Sequence, residues 1–372
     1  MLTSVTDDVQ ASLILRKCIQ KVATGPEYSK DLSVEEAQAA MALALTGRAD
    51  PVQLGVFLIA LRMKRETNEE NIGVLRALRA TCVQVQAPVD EVFDVADPYD
   101  GFARGLPVSP FLPALLAACG VPAICHGLES VGPKYGTTTR QVLRAAGADV
   151  DLSPERAAAR LADQGWAYLD QRAFHPALHD LVGLRERIVK RTCLTTLEVL
   201  LGPVRGKKRT HLLTGFVHKA YPPVYASMAR EAGFDTALIV RGAEGGVIPS
   251  LQQPAAVHYY HDAGPQQLMK ASAIQLGIHR DTRAVPLPPD LPLAARPGDE
   301  IANAVDSHAA AAAAAEVGLA ALGGAEGPAR DSLVYAGALC LHHLRRHESL
   351  PAAADAVRKV LDTGSALTRF RS

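Results

Sequence analysis

The sequence predicts an α/β protein with a separate all-α domain. A small helical N-terminal domain covers residues 1–85, and a mostly parallel sheet flanked by helices, with a helical C-terminal part, covers 86–372. Three observations predict this. The first stretch carries repeated helix-start signals ahead of apolar residues on a helical period. From residue 86, short apolar runs alternate with helical stretches, the mark of a parallel sheet covered on both faces. The tail then returns to helices alone.

The elements follow in order. "LSVEEAQAAMALALTG" places Ser33 three residues before Glu36, a capping box, and stops at Gly47. Asp50-Pro51 opens a second helix through "VQLGVFLIALRMK", with Asp as the cap and Pro pre-organised for the first position. Thr67 and Glu70 repeat the box before "NIGVLRALRATC". "QAPVDEVFDVADPYDG" alternates β-branched and aromatic residues with acidic ones, a strand that delivers the chain to a turn. A helix at "SPFLPALLAACG", an apolar run "VPAIC" and a helix at "QVLRAAG" come next. "WAYLD", "THLLTGFVH", "PVYASMAREAG" and "TALIVRG" then read as strand, strand, helix, strand. The proline-rich "PLPPDLPLAARPGD" is a surface connector before three helices, and the alanine tract at 309–315 is a structural helix former.

Bulk properties narrow the function classes. At ~150 residues per domain, 372 residues make about two domains. No apolar run reaches the ~20 residues a membrane-spanning helix needs. The N-terminus lacks a basic stretch and carries Asp7 and Asp8, so no secretory signal is expected. Six cysteines (18, 82, 119, 125, 193, 340) form no C-x-x-C pair, which fits buried reduced thiols in a cytoplasmic protein. Lys plus Arg and Asp plus Glu are 39 each, so only a local patch could draw the chain to nucleic acid.

In an open α/β sheet, ligands collect beyond the carboxyl ends of the strands. Two turns have that character. "DPYDGFARGLPVS" offers Gly101, Arg104 and Ser109. "HGLESVGPKYGTTT" offers His126, Gly127, Lys134, Gly136, Thr137 and Thr138. Converging, they would suit a phosphate. Equally, the glycines are ordinary turn residues, His126 a satisfied core histidine, and the threonines a helix cap. The spacings G-x-G-x-x-G and G-x-x-x-x-G-K-[ST] are absent. His258 and His261 in "HYYH" would point to opposite faces of a strand, against a shared metal, and His342-His343 near a helix C-terminus reads as structural.

"LSVEEAQAAMALALTGRADPVQLGVFLIALRMKRETNEENIGVLRAL" resembles the helical domain of the anthranilate phosphoribosyltransferase and pyrimidine nucleoside phosphorylase family (glycosyltransferase family 3). "VPAICHG" with "GTTTRQVLRAAG" resembles its K-H-G-N-R turn and following helix. "FHPALHDLVGLRERIVKRTCLTTLEVLLGPV" resembles its H-P-A and R-T-x-F-N-x-L-G-P-L segments. The likeness spans nearly the whole chain. It implies a helical domain, completed by part of 175–205, facing an α/β domain across a cleft that holds a phosphorylated ribose or nucleotide. It also implies pentosyl transfer assisted by phosphate and Mg²⁺ contacts, Arg185 as the aromatic-acid-binding arginine, and a homodimer, for which Leu54, Phe57 and Leu58 offer apolar surface.

The pattern also departs from the family. Its G-T-G-G-D turn falls on Asp97-Pro98-Tyr99-Asp100-Gly101, its Lys on Cys125, its Asn-Arg on Leu128-Glu129, and its metal-holding D-E pair on "AEGGVIPS", where Glu244 is the sole carboxylate. No metal-ligand set is therefore assigned, and ordinary anthranilate transfer is not expected. A branch of the family with such departures is nucleic-acid-binding. By that alternative, Lys190, Arg191, Arg205, Lys207, Lys208 and Arg209 would contact phosphates of single-stranded nucleic acid; otherwise "RGKKRTH" is a solvated loop.

Overall fold

A computed structural model describes residues 13–25, 27–295 and 301–372; Asp7 and Asp8 lie outside them. The helical bundle comprises residues 13–22, Val34–Leu45, Pro51–Lys64 and Asn68–Thr81. Both expected capping boxes form: Ser33 with Glu36, and Thr67 with Glu70. Glu70 does more than cap. Its buried carboxylate also accepts from Leu32 N at 2.9 Å and meets Lys64 Nζ at 2.9 Å, tying three helices together. Helices Val34–Leu45 and Asn68–Thr81 approach so closely at Gly73 that a Cβ there would lie 2.3 Å from the Val34 carbonyl oxygen.

Leu54, Phe57 and Leu58 do not supply surface for a second subunit. They are buried in the bundle core, because the helix turns that stripe inward and leaves Val52, Val56 and Met63 exposed.

The α/β part is built on a seven-stranded sheet. In chain order its strands are β2 (Glu91–Ala96), β3 (Ala123–Gly127), β4 (Trp166–Asp170), β6 (Arg209–Gly215), β7 (Thr236–Val240), β8 (Ala255–Tyr260) and β9 (Gln267–Ala271). A two-stranded ladder of β1 (Val85–Gln86) with β5 (Val204–Arg205) sits beside it. The order is β4-β3-β2-β6-β7-β8-β9, parallel through β7 and antiparallel for the last two. Parallel strands buried on both faces alternate their apolar residues between two cores. Val92, Ile124 and Leu212 join the core shared with the bundle; Phe93, Cys125 and Leu213 join the other.

That second core is closed by Leu112–Ala118 and the C-terminal helices Ser307–Leu322, Pro328–His343, Leu350–Asp362 and Ser365–Arg371. Trp166 stacks on Phe370 at 4.9 Å, and its indole N–H donates to Arg369 O at 2.9 Å. The alanine tract buries Ala310, Ala311, Ala314 and Ala315, as a structural helix should. A helix at Pro154–Gln164, absent from the expected elements, has plain signals: a Ser153 cap, Pro at its start and Gly165 in the left-handed region at its end.

Residues 171–200 return to the bundle, where helices Val182–Ile188 and Cys193–Leu197 lie against Pro51–Lys64. His175 Nε2 lies 2.8 Å from Leu78 O, and Arg76 pairs with Glu231 at 2.7 Å across the divide. Among the described residues, no helix is long and apolar enough to cross a membrane, and all six cysteines are free thiols, four of them buried.

Candidate functional site

A crevice opens in a parallel sheet where neighbouring connections leave in opposite directions. Here the chain leaves β2 toward β3 and leaves β6 toward β7, so the crevice lies between β2 and β6. A cavity of about 180 Å³ occupies it. Pro98 and Asp100 come from the turn after β2, Thr214 to His218 from the end of β6, and Glu244 and Gly245 from the turn after β7. Arg62 reaches in from the helical bundle, Arg191, Thr192, Thr195 and Thr196 from the segment returning to it, and Tyr221 and Tyr225 complete the wall.

The charges are partly committed. Arg191 Nε donates to Asp100 Oδ2 at 2.6 Å; the carboxylate is buried and the guanidinium side chain 44% exposed. Burial pushes the Tyr221 and Tyr225 phenols up, so both stay neutral hydrogen-bonding walls. Thr192 is buried, and its hydroxyl has no partner among the described residues. Such a group costs ~1–3 kcal/mol unless something satisfies it.

The turns after β2 and β3 do converge, but on each other's backbone. Phe102 N donates to Thr137 O at 3.0 Å, Thr137 N to Phe102 O at 2.7 Å, and Gly136 N to Asp100 O at 2.9 Å. Gly101 holds φ +74°, and a Cβ on it would come within 2.5 Å of Gly136. Both glycines therefore serve contact between the turns and leave no open cradle. Tyr99 and Phe102, both in the turn after β2, are buried.

Most residues of the phosphate expectation make contacts within the chain. His126 is a core histidine: Nδ1 lies 2.5 Å from the Tyr99 hydroxyl and Nε2 2.8 Å from Asp94 Oδ1, with the side chain fully buried. Gly127 ends β3 inside the protein. Thr138 caps helix Thr139–Ala145, and the Thr137 backbone bridges the two turns. The Ser109 hydroxyl serves the Asp97 carboxyl, which burial raises to about 6.

Arg104 and Lys134 do meet at an anion, and the anion is Glu244. Its carboxylate accepts from Ala103 N at 3.0 Å and Arg104 N at 2.7 Å, and lies 2.8 Å from Lys134 Nζ, which also donates to Gly101 O at 2.5 Å. Magnesium beside a diphosphate needs free carboxylate oxygens. Glu244 is held by an ammonium and two amides, and Asp97 by Ser109 and by Val247 N at 3.0 Å. As arranged, these residues do not fit the metal. Among the described residues, no group of three or more His, Cys, Asp or Glu is placed to hold one.

Comparison with known proteins matches residues 16–82 to a glycosyl transferase family helical bundle domain and 105–367 to a glycosyl transferase family a/b domain. The chain belongs to glycosyltransferase family 3. Within it, an anthranilate phosphoribosyltransferase of Thermomicrobium roseum is 29% identical over 95% of this chain and 94% of its own. One of Novosphingobium aromaticivorans is 29% identical over 90% and 95%. The fold agrees with anthranilate phosphoribosyltransferase from Saccharomyces cerevisiae in complex with PRPP and Mg: TM-score 0.76, 16% identity, 96% of each chain. The Thermus thermophilus enzyme gives 0.71 at 21% identity, over 96% of this chain and 99% of that one.

In this family member, Arg185 is buried. It forms a two-point ion pair with Glu198 at 2.6 and 2.7 Å, both groups buried, and Gln171 supports the carboxylate at 3.1 Å. Nor do the six basic residues form one surface. Arg191 lines the cavity beside Lys190, whereas Lys207 to Arg209 lie at the opposite end of β6, roughly 20 Å away for a seven-residue strand. Lys208 pairs with Asp90 at 2.8 Å and Arg209 with Asp262 at 3.1 Å. Arg205 spends its guanidinium on the carbonyls of Gly202, Ala232 and Gly233 over the Phe234 ring, and burial lowers it to about 10.

Arg62, Thr192, Thr214 to His218, Tyr221 and Tyr225 are cavity residues that the sequence reading missed. A signal existed: "GFVHKAYPPVY" is also a strand end leading into a helix, and the strand-end rule covers it as well as the two turns chosen.

Proposed function

We propose that the protein binds a phosphorylated ribose or a nucleotide in the cavity between β2 and β6, between the helical bundle and the α/β part. The observation that carries this reading is the buried Thr192 hydroxyl, without a partner among the described residues, in a cavity flanked by Arg62 and Arg191. Two guanidinium groups and a hydroxyl left without a protein partner suit phosphate oxygens, and the neutral Tyr221 and Tyr225 suit a sugar or base face. The related yeast protein is described in complex with PRPP and Mg, which supports the ligand class.

The reaction class this implies is pentosyl transfer, in which positive charge develops on the ribose and is stabilised electrostatically. The carboxylates of Asp100 and Glu244 line the same cavity. Ordinary anthranilate transfer is outside the proposal, because Arg185 is held by Glu198. Calorimetry with phosphoribosyl diphosphate, with and without Mg²⁺, tests the reading. Saturable heat that weakens in Arg62→Ala and Arg191→Ala is expected; no heat at millimolar ligand overturns it. Homodimer assembly belongs to the same proposal, and light scattering at the monomer mass would reject it.

A further inference from the structure

The Glu244 carboxylate is bound the way a ligand anion would be. One oxygen takes Arg104 N at 2.7 Å, the other takes Ala103 N at 3.0 Å and lies 2.8 Å from the Lys134 ammonium. Successive backbone amides aimed at one point make a concavity that favours negative charge, and the lysine supplies a full charge in a place where its side chain is only 11% exposed. Nothing in these donors is specific to a carboxylate; a phosphate oxygen satisfies them equally well.

The residue that fills the site is held there at a cost. Glu244 has φ +54°, a left-handed conformation that a side chain rarely adopts. Its neighbours leave the turn little freedom: a Cβ on Gly242 would lie 1.7 Å from Gly246 O, one on Gly215 would lie 2.1 Å from Gly245 O, and one on Gly246 would meet the Phe102 ring at 2.6 Å. The turn is thus packed so that the carboxylate points across the β6 strand end into the amides of the β2 turn. Glu244 also borders the cavity, so a ligand there is in direct reach of the same donors.

We propose that Glu244 is a tethered competitor. Its carboxylate occupies an oxyanion site made by Ala103 N, Arg104 N and Lys134 Nζ, and a phosphate group gains that site only by displacing it. For the nature of the ligand the inference rests on the cavity reading above; for the donors it rests on geometry alone. Displacement exchanges one anion for another at the same donors, so free phosphate binds weakly to the unaltered chain. Removing the carboxylate leaves a poorly hydrated ammonium unpaired, which strongly favours recruitment of an external anion.

The test titrates inorganic phosphate into the full chain and into Glu244→Ala and Glu244→Gln, reading heat and the amide ¹⁵N shifts of Ala103 and Arg104. Both variants should bind phosphate at least about tenfold more tightly than the unaltered chain. Both amides should shift, and the gain should vanish when Lys134→Ala is added. Unchanged affinity in folded variants, unmoved amides, or a gain that survives loss of Lys134 overturns the proposal. If the alanine variant does not fold, the glutamine variant decides by the same criteria; a chain that tolerates neither makes Glu244 purely structural and also overturns it. Failure of the cavity reading shows separately, as no response to phosphoribosyl diphosphate in a chain whose Glu244 variants still gain phosphate.

Discussion

The guanidinium of Arg185 and the carboxylate of Glu198 face each other inside the protein at 2.6 and 2.7 Å, with side-chain exposures of 4% and 0%. Burial drives Arg185 toward losing its charge, and the Glu198 carboxylate overcomes it, so the guanidinium is held above its ordinary value. Removing one member leaves the other charged and dry. Glu198→Ala should destabilise the chain by about 3–5 kcal/mol, while replacing both residues by apolar ones of similar volume should cost far less. Urea unfolding of the single and double variants measures the difference; equal losses would assign Arg185 another partner.

Thr192 allows stability and binding to be separated. Its hydroxyl is buried without a partner among the described residues, so Thr192→Val should leave stability unchanged or raise it slightly. If the hydroxyl meets the ligand, the same change should weaken phosphoribosyl diphosphate roughly two- to tenfold, the worth of one hydrogen bond. Thermal melts and calorimetry on one preparation read both. Unchanged affinity would remove Thr192 from the site.

Two buried groups set opposite responses to pH. Burial depresses His343, which stacks on His261 at 4.4 Å and has Nε2 2.9 Å from the Thr236 hydroxyl. The folded chain therefore binds this proton less readily than the unfolded chain, so the stability His343 contributes is full above ~6.5 and is lost as pH falls toward its folded value. Asp97, raised to about 6 by burial, has the other sign: its contribution is present below its unfolded value of ~3.9 and is lost as pH rises through 6. In Asp97→Asn, denaturant midpoints should fall more steeply from pH 7 to 5 than in the unaltered chain. In His343→Phe they should fall less.

At Gly73 the two facing helices nearly touch, with Val34 O 2.3 Å from where a Cβ would stand. Alanine improves helix propensity by ~1 kcal/mol, but here it must push a backbone carbonyl, and overpacking of that kind costs roughly 1–3 kcal/mol. Gly73→Ala should therefore lower the melting temperature, an outcome opposite to propensity alone.

Retention of single-stranded DNA should not depend on the "GKKR" loop. Two of its three charges are paired with Asp90 and Asp262, and it lies at the far end of the sheet from Lys190 and Arg191. Replacing Lys207, Lys208 and Arg209 by Ala should leave mobility shifts at low salt unchanged. A steep loss would support the nucleic-acid reading.

Local features were legible wherever the physics is local. Ser33 with Glu36 and Thr67 with Glu70 could be read directly, because a capping box is a pair of hydrogen bonds between residues three apart. Strand and helix alternation likewise announces the sheet, and the cap and glycine of Pro154–Gln164 are signals of the same local kind. The two turns chosen as the site are truly strand ends, but the rule that selects them needs the strand order. Order is a matter of which strands pair, and β6 pairs with β2 across more than a hundred intervening residues.

The amino-acid order alone thus settled the helical bundle and the parallel α/β layer, which follow from periodicity and caps, and its resemblance to known motifs pointed to the family. Folding in three dimensions decided where the ligand cavity lies and which charges are free to use it. Lys134, Arg185 and Arg205 look like available cations along the chain, yet each is spent on a carboxylate or carbonyl brought to it from elsewhere in the fold. The reason is that a buried charge must be matched at contact distance, and no spacing along a chain reports which distant group will stand there.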